Sequence, residues 1–127
     1  MSDAVWGKIG ETYALDFLKR QGYKIIFRNF RNRFGEIDIV ARDSDTLCFV
    51  EVKTRGSDRY GLPQEAVAKS KQRRLIKLAL SFLKEKDLLD KKARFDVVSV
   101  RYSDKGSQPQ LELIKNAFEL DEEPDND

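Results

Sequence analysis

The stretch from Gly35 to Arg55 constrains the fold most, because apolar and polar residues alternate there on both sides of a short polar turn. Successive side chains of a strand point to opposite faces of a sheet. The alternation groups residues by face: Ile37, Ile39 and Ala41 in the first half, and Cys48, Val50 and Val52 in the second. Residues 43–46 carry the short polar side chains typical of turns, so the stretch predicts a β-hairpin.

A turn centred on residues 44–45 sets the register of this hairpin. Asp38 would then face Glu51, and Glu36 would face Lys53. Cross-strand Cβ atoms lie about 5 Å apart, so opposed carboxylates repel and destabilise the sheet. A divalent cation would offset that repulsion, because Mg²⁺ binds carboxylate oxygens together with water and substrate phosphate. The pair indicates a Mg²⁺ site beside a lysine, as phosphodiester hydrolysis requires. The simpler alternative is a solvated polar face with an ordinary Glu36–Lys53 ion pair.

The composition removes several kinds of chemistry. The chain has no histidine, which excludes histidine-ligated zinc, Ser-His-Asp triads and imidazole bases. Its single cysteine, Cys48, lies on the predicted apolar face and is expected to be a buried hydrophobic residue. Any catalysis would therefore depend on carboxylates, lysine and a metal ion.

The length of 127 residues, 40% of them hydrophobic, fits one domain with its own core. We expect that domain to span residues 1–118, followed by a disordered acidic tail at 119–127. No segment approaches the roughly 20 apolar residues of a membrane helix, and the N-terminus has no secretory pattern, which favours a cytoplasmic protein without membrane contact. Outside the tail, 24 basic residues stand against 16 acidic ones. This excess favours a nucleic-acid partner, although a solvated surface would give the same count.

Periodicity predicts the remaining elements. They are helices over about Ala4–Gln21 and Lys69–Lys86, and strands over about Tyr23–Asn32, Arg94–Tyr102 and Gln110–Lys115. The second helix has a predicted buried stripe made of Leu75, Leu78, Ala79, Phe82 and Leu83. Gly7 and Gly10 each cost about 1 kcal/mol inside a helix, which close packing against the sheet would explain. Ile25 and Phe27 are expected on one face of their strand, and residues 56–63 form a candidate flap.

Two groups of basic residues are candidates for contact with nucleic acid. Arg31 and Arg33 alternate with phenylalanines that would either stack on bases or belong to the core. Lys71, Arg73 and Arg74 crowd the start of the second helix, where positive charge opposes the helix dipole. An anionic partner would relieve that opposition, and a solvated helix face is the alternative.

The triplet Asp38…Glu51-Val52-Lys53 resembles the PD-(D/E)xK signature of restriction-endonuclease-like nucleases. More closely, the chain resembles the YraN family, whose members are similar to archaeal Holliday-junction resolvases. The matching pieces are Gly35-Glu36-Ile37-Asp38, residues 49–55 (FVEVKTR), residues 71–75 (KQRRL), residues 94–98 (RFDVV) and residues 114–118 (IKNAF). They occur in the expected order and cover most of residues 7–118. Gly35 stands near the place where the wider superfamily often has proline, which leaves the ligands untouched.

The resemblance implies an α/β, restriction-endonuclease-like core, a mixed sheet of about five strands flanked by helices in the order α-β-β-β-α-β-β. It implies hydrolysis of phosphodiester bonds in DNA, including branched or structured DNA, with Mg²⁺ or Mn²⁺ as cofactor. Asp38 and Glu51 would bind the metal, and Lys53 would orient the attacking water and offset the charge of the phosphorane. The secondary residues would be Glu11, Glu36 and Gln64, and the nucleic-acid contacts would be Arg31, Arg33, Arg55, Lys71, Arg73 and Arg74.

Two other functions stay open at this point. A non-catalytic module that retains the fold would bind nucleic acid with strong salt dependence, but without a metal requirement or turnover. A protein-interaction adaptor would use the same sheet as a docking surface. Resolvase-like relatives act as dimers, so a homodimer is a further open arrangement.

Overall fold

The computed structural model describes residues 3–56, 68–102 and 108–118. Its elements are α1 (Asp3–Arg20), β1 (Lys24–Asn32), β2 (Gly35–Asp43), β3 (Thr46–Arg55), α2 (Lys69–Glu85), β4 (Lys92–Arg101) and β5 (Gln110–Phe118). This order confirms the predicted α/β architecture. The largest difference is in β5, which continues past the predicted end at Lys115 to Phe118. Neither helix of the described segments has the length and apolarity needed to cross a membrane.

The five strands form one mixed sheet in the order β1-β2-β3-β4-β5. Neighbouring strands are antiparallel except for β3 and β4, which are parallel. A parallel pair cannot be joined by a tight turn and requires a crossover connection. The segment that contains α2 provides it, so the parallel pair follows from the place of this helix in the sequence.

The two helices pack on opposite faces of the sheet. All five residues of the predicted α2 stripe are buried, and they pack with Val40, Phe49 and Val97. Ala14 and Leu18 of α1 pack on the other face of the sheet, with strand residues that include Ile39, Ala41, Cys48 and Val50. Cys48 is fully buried, as expected. Each large side chain removed from water in this way stabilises the fold by about 1.5–3 kcal/mol.

Gly10 of α1 lies close against the sheet. A Cβ atom added there would lie 2.3 Å from Oγ1 of Thr54 on β3. This contact confirms that Gly10 permits close packing. The same explanation is wrong for Gly7, where an added Cβ would meet nothing within 4 Å.

The strict alternation predicted for the hairpin is wrong at Ile37. This residue packs in the core beneath α2, whereas Ile39 packs in the core beneath α1. The neighbouring strand β1 is irregular at the same level, because Asn29 has a positive φ of 55°. Asparagine tolerates this left-handed conformation better than most residues, and it interrupts the regular pleat.

The expectation that Ile25 and Phe27 share a face is also wrong. The β1–β2 register shifts between these two residues, so Ile25 packs beneath α1 and the Phe27 ring lies 6.0 Å from that of Phe82 on α2. Phe30 lies 5.1 Å from the same Phe82 ring. Phe30 therefore packs against the core, whereas Phe27 touches the Phe82 ring but remains 40% exposed.

Asp96 on β4 is buried, and it forms an ion pair with Arg94. Its carboxylate accepts hydrogen bonds from the Tyr23 hydroxyl at 2.8 Å, from Arg94 Nε at 3.0 Å and from the Asn116 backbone N at 2.9 Å. Only 1% of the residue is exposed. The charge is buried but fully partnered, so this network fastens β4 to β5 and to the chain that leaves α1.

Candidate metal site

A cluster of acidic side chains begins where β2 and β3 separate. The ladder pairs of these strands run from Asp43–Thr46 to Ile39–Val50, which is the register predicted from the turn. At the next position, Asp38 Oδ2 accepts a hydrogen bond from the Val52 backbone N at 2.8 Å. The side-chain oxygen replaces a ladder carbonyl and holds Asp38 in the gap between the strands. Asp38 and Glu51 are therefore not the regular ladder pair that the register predicts.

The carboxyl groups of Asp38 and Glu51 meet nevertheless. Burial raises the pKa of Asp38 to about 9, and the hydrogen bond to Glu51 and its charge add to the rise, against the lowering effect of the Val52 N–H. Glu51 itself is only 7% exposed. Two buried carboxyl groups in contact do not both ionise at neutral pH, because like charges in low dielectric repel strongly. The pair holds a proton that a bound cation would displace.

Glu11 and Glu36 complete the cluster from two other directions. One carboxylate oxygen of each lies within 4.8 Å of the other and of an Asp38 oxygen. Burial raises the pKa of Glu11 and the charge of Glu36 raises it further, whereas Arg28 lowers it. Glu36 forms an ion pair with Arg31, its ladder partner on β1, rather than with the Lys53 that the hairpin register predicts.

Asn29 lies beside this cluster, and no feature of its sequence context selects it. Its Nδ2 donates a long hydrogen bond of 3.5 Å to Glu11 Oε1, while its Oδ1 is buried and has no hydrogen-bond partner within the described residues. An amide oxygen is a good ligand for a hard cation or for a water bound to one. The positive φ of Asn29 marks the residue as unusual in the structure. The sequence does not reveal this conformation, because an asparagine within a predicted strand has no local feature that indicates it.

Two lysines adjoin Glu51. Lys53 follows on the same strand and, by alternation, shares a face with Glu51, where its side chain is half-buried. Lys71, from the first turn of α2, places Nζ 2.8 Å from Glu51 Oε2. That oxygen is buried and receives no well-directed hydrogen bond from the described part of the chain, so the contact is an ion pair by distance alone. From the sequence, Lys71 was predicted only to contact nucleic acid, so its ion pair with Glu51 is a finding of the structure.

The other predicted basic residues are exposed or half-buried. Arg73 and Arg74 are exposed on α2 and Arg55 is half-buried at the end of β3. Arg33 is exposed, and its guanidinium lies 4.9 Å from the centre of the Phe34 ring. Gln64 and the candidate flap from residue 57 onward lie outside the described residues.

Comparison with known proteins finds close relatives over most of the chain. The sequence model of "Uncharacterised protein family UPF0102" matches residues 10–100, which include the whole acidic cluster. A UPF0102 protein of Geobacter metallireducens is 56% identical over 114 residues, covering 90% of this chain and 92% of the relative. One of Syntrophus aciditrophicus is 54% identical, covering 90% and 88%. One of Persephonella marina is 44% identical, covering 91% and 94%.

Proposed function

The chain belongs to the UPF0102 family, and we propose that it is a metal-dependent endonuclease that hydrolyses phosphodiester bonds in DNA, branched DNA included. One observation carries the proposal. The carboxyl group of Asp38 meets that of the buried Glu51, and one of its oxygens also lies within 4.8 Å of oxygens of Glu11 and Glu36. Acidic groups this close repel one another, and a divalent cation converts the repulsion into attraction.

The donor set fits Mg²⁺ or Mn²⁺. Every candidate ligand is oxygen, and the chain has no histidine, which favours a hard cation over zinc or copper. In an octahedral Mg²⁺ site, ligands about 2.1 Å from the ion lie at most about 4.2 Å apart. The 4.8 Å limit on the Glu11, Glu36 and Asp38 oxygens is therefore within a small side-chain movement of that geometry. The unpartnered Oδ1 of Asn29 adds a neutral oxygen beside them.

In this mechanism Asp38 and Glu51 hold the cation, which supplies Lewis acidity and an activated water. The Val52 N–H fixes the Asp38 carboxylate, so one of its oxygens is oriented before substrate binds. Lys53, on the Glu51 face of β3, orients the attacking water and offsets negative charge on the phosphorane. Glu11 and Glu36 serve as secondary carboxylates that hold further water molecules, with Asn29 positioning Glu11.

The charge of the surface supports a nucleic-acid substrate. Arg73 and Arg74 are exposed on the same helix as Lys71, and the first turn of this helix carries no acidic residue. Lys and Arg side chains bind phosphates without regard to base sequence, which gives affinity that falls with salt. The basic excess outside residues 119–127 adds to the attraction.

The test is incubation of the purified protein with four-way-junction, single-stranded and duplex DNA in Mg²⁺, Mn²⁺ or EDTA. We expect metal-dependent cleavage that is lost in Glu51→Gln and Lys53→Met. Glu85→Gln, an exposed carboxylate at the end of α2, is the matched control and should cleave normally.

Cleavage that persists in EDTA or in Glu51→Gln would reject this site. Salt-dependent DNA binding with no cleavage under any condition would support the non-catalytic module instead. The preferred substrate among the three DNA forms would identify the class of structure that the protein acts on.

A further inference from the structure

The ion pair between Lys71 and Glu51 joins α2 to the acidic cluster. Its two partners differ in environment, since the Glu51 side chain is 8% exposed and that of Lys71 is 41% exposed. A buried carboxylate requires a compensating charge. In this structure the ammonium of a flexible, half-exposed lysine provides it, at 2.8 Å from Oε2.

We propose that Lys71 and the divalent cation compete for Glu51, and that the displaced Lys71 ammonium then takes an oxygen of the substrate phosphate. This inference rests on the proposed function and deepens it, because it makes Lys71 the residue that couples metal binding to substrate binding. A cation bound to Glu51 Oε2 at about 2.1 Å would lie within about 5 Å of the ammonium in its present position. Two positive groups that close in a buried site repel, so the more mobile one moves.

The surroundings of Lys71 favour such a movement. Four methylene groups connect its ammonium to the backbone, and this stem allows several positions at little cost. Its helix begins at Lys69 without a side-chain cap and without an acid in the first turn. When the Lys71 ammonium leaves Glu51, it moves outward on the helix surface that carries the exposed Arg73 and Arg74. An anionic oxygen is the ligand that would stabilise the ammonium there, and a phosphodiester supplies one.

The competition predicts that removal of Lys71 strengthens metal binding. Titration calorimetry with Mn²⁺ alone, without DNA, should show at least about tenfold tighter binding for Lys71→Met than for the wild type, which is the lower end of the coupling measured for close charge pairs. Lys77→Met removes an exposed lysine from the same helix and should leave the affinity unchanged. This control separates the contact with Glu51 from a general change of charge.

DNA binding supplies the second readout. With duplex DNA in EDTA, Lys71→Met should bind as tightly as the wild type, because Lys71 is engaged with Glu51. With Ca²⁺ present the wild type should bind more tightly than the variant. If Lys71→Met does not fold without metal, Lys71→Gln, which keeps a hydrogen-bond donor beside Glu51, replaces it with the same expected results.

Each outcome decides. Wild-type protein that binds no Mn²⁺ would overturn both the proposed function and this inference. Mn²⁺ binding that is lost in Asp38→Asn but is equal or weaker in Lys71→Met would overturn the inference and leave the metal site standing. Tighter Mn²⁺ binding in Lys71→Met, with wild-type affinity in Lys77→Met, would establish the competition.

Discussion

The contact between Gly10 and Thr54 allows a prediction with opposite signs at two neighbouring glycines. Alanine in place of glycine in a helix interior stabilises a protein by about 1 kcal/mol when its methyl group has room. Gly7 has that room, with nothing within 4 Å of an added Cβ. Gly7→Ala should therefore raise the free energy of unfolding by about 1 kcal/mol.

At Gly10 the added Cβ would lie 2.3 Å from Thr54 Oγ1, about 1 Å closer than a comfortable contact. Rotation of Thr54 gives only partial relief, because one of its two other staggered rotamers places the methyl group where the oxygen lies now. Overpacking of this kind costs about 1–3 kcal/mol. After subtraction of the helix-propensity gain of about 1 kcal/mol, Gly10→Ala should lose up to about 2 kcal/mol.

The two variants should thus differ by about 1–3 kcal/mol, or about 4–12 °C in melting temperature for a domain of this size. Thermal and urea unfolding measure both. Thr54→Ala should restore most of the loss in Gly10→Ala, because the remaining Cβ of residue 54 is 3.4 Å from the added methyl. Thr54→Val keeps the bulk and should not restore it. If Gly10→Ala proved as stable as Gly7→Ala, the helix would not be seated on β3 as described, and the position of Glu11 would be wrong with it.

Four further predictions concern the polar groups. Mn²⁺ affinity should rise by up to about tenfold per pH unit until the pH approaches about 9, because the proton held by Asp38 must leave; calorimetry in buffers of different ionisation enthalpy counts that proton, and a flat pH profile would contradict the shift. Without metal, protonated Asp38 stabilises the fold fully below its ordinary pKa of 3.8, and this contribution is lost as the pH rises toward about 9. The melting temperature in EDTA should therefore fall over that range, and a constant melting temperature would contradict the raised pKa. Asn29→Gly, which tolerates the positive φ, should weaken Mn²⁺ binding by about tenfold, and unchanged affinity would remove Asn29 from the site. Asp96→Ala should lower the free energy of unfolding by about 3 kcal/mol, because the partly buried Arg94 loses an ion-pair partner, and it should leave Mn²⁺ affinity unchanged. If urea unfolding shows little loss of stability, Asp43, the other partner of Arg94, compensates fully.

Much of the fold was predictable because its signals are local. The stripe of α2 repeats with helical period, and the turn at residues 43–46 fixes the hairpin register that the structure contains. What failed was the strict alternation through Ile37, because it assumes a regular pleat. A positive φ at Asn29 and a register shift in β1 break that pleat, and both depend on tertiary packing rather than on the local pattern.

The candidate site divides in the same way. Asp38 and Glu51 were predictable as neighbours, since the hairpin register places them one step beyond its last ladder pair, Ile39–Val50. The approach of Glu11 depends on how deeply α1 seats at Gly10, and the approach of Lys71 depends on the docking of α2. Contacts between residues far apart in sequence have no local signature, so the partners of the acids emerge only in three dimensions.

The hydrogen bond from Val52 to Asp38 bears on how the protein should be mutated. The Asp38 carboxylate belongs to the acidic cluster, and it also accepts the hydrogen bond that a backbone carbonyl would accept in a regular ladder. Alanine at residue 38 would orphan a buried amide and loosen the hairpin, so an inactive alanine variant could not distinguish a lost ligand from a misshapen strand. Asparagine keeps an oxygen for that amide while removing the charge, and is therefore the substitution whose phenotype can be interpreted.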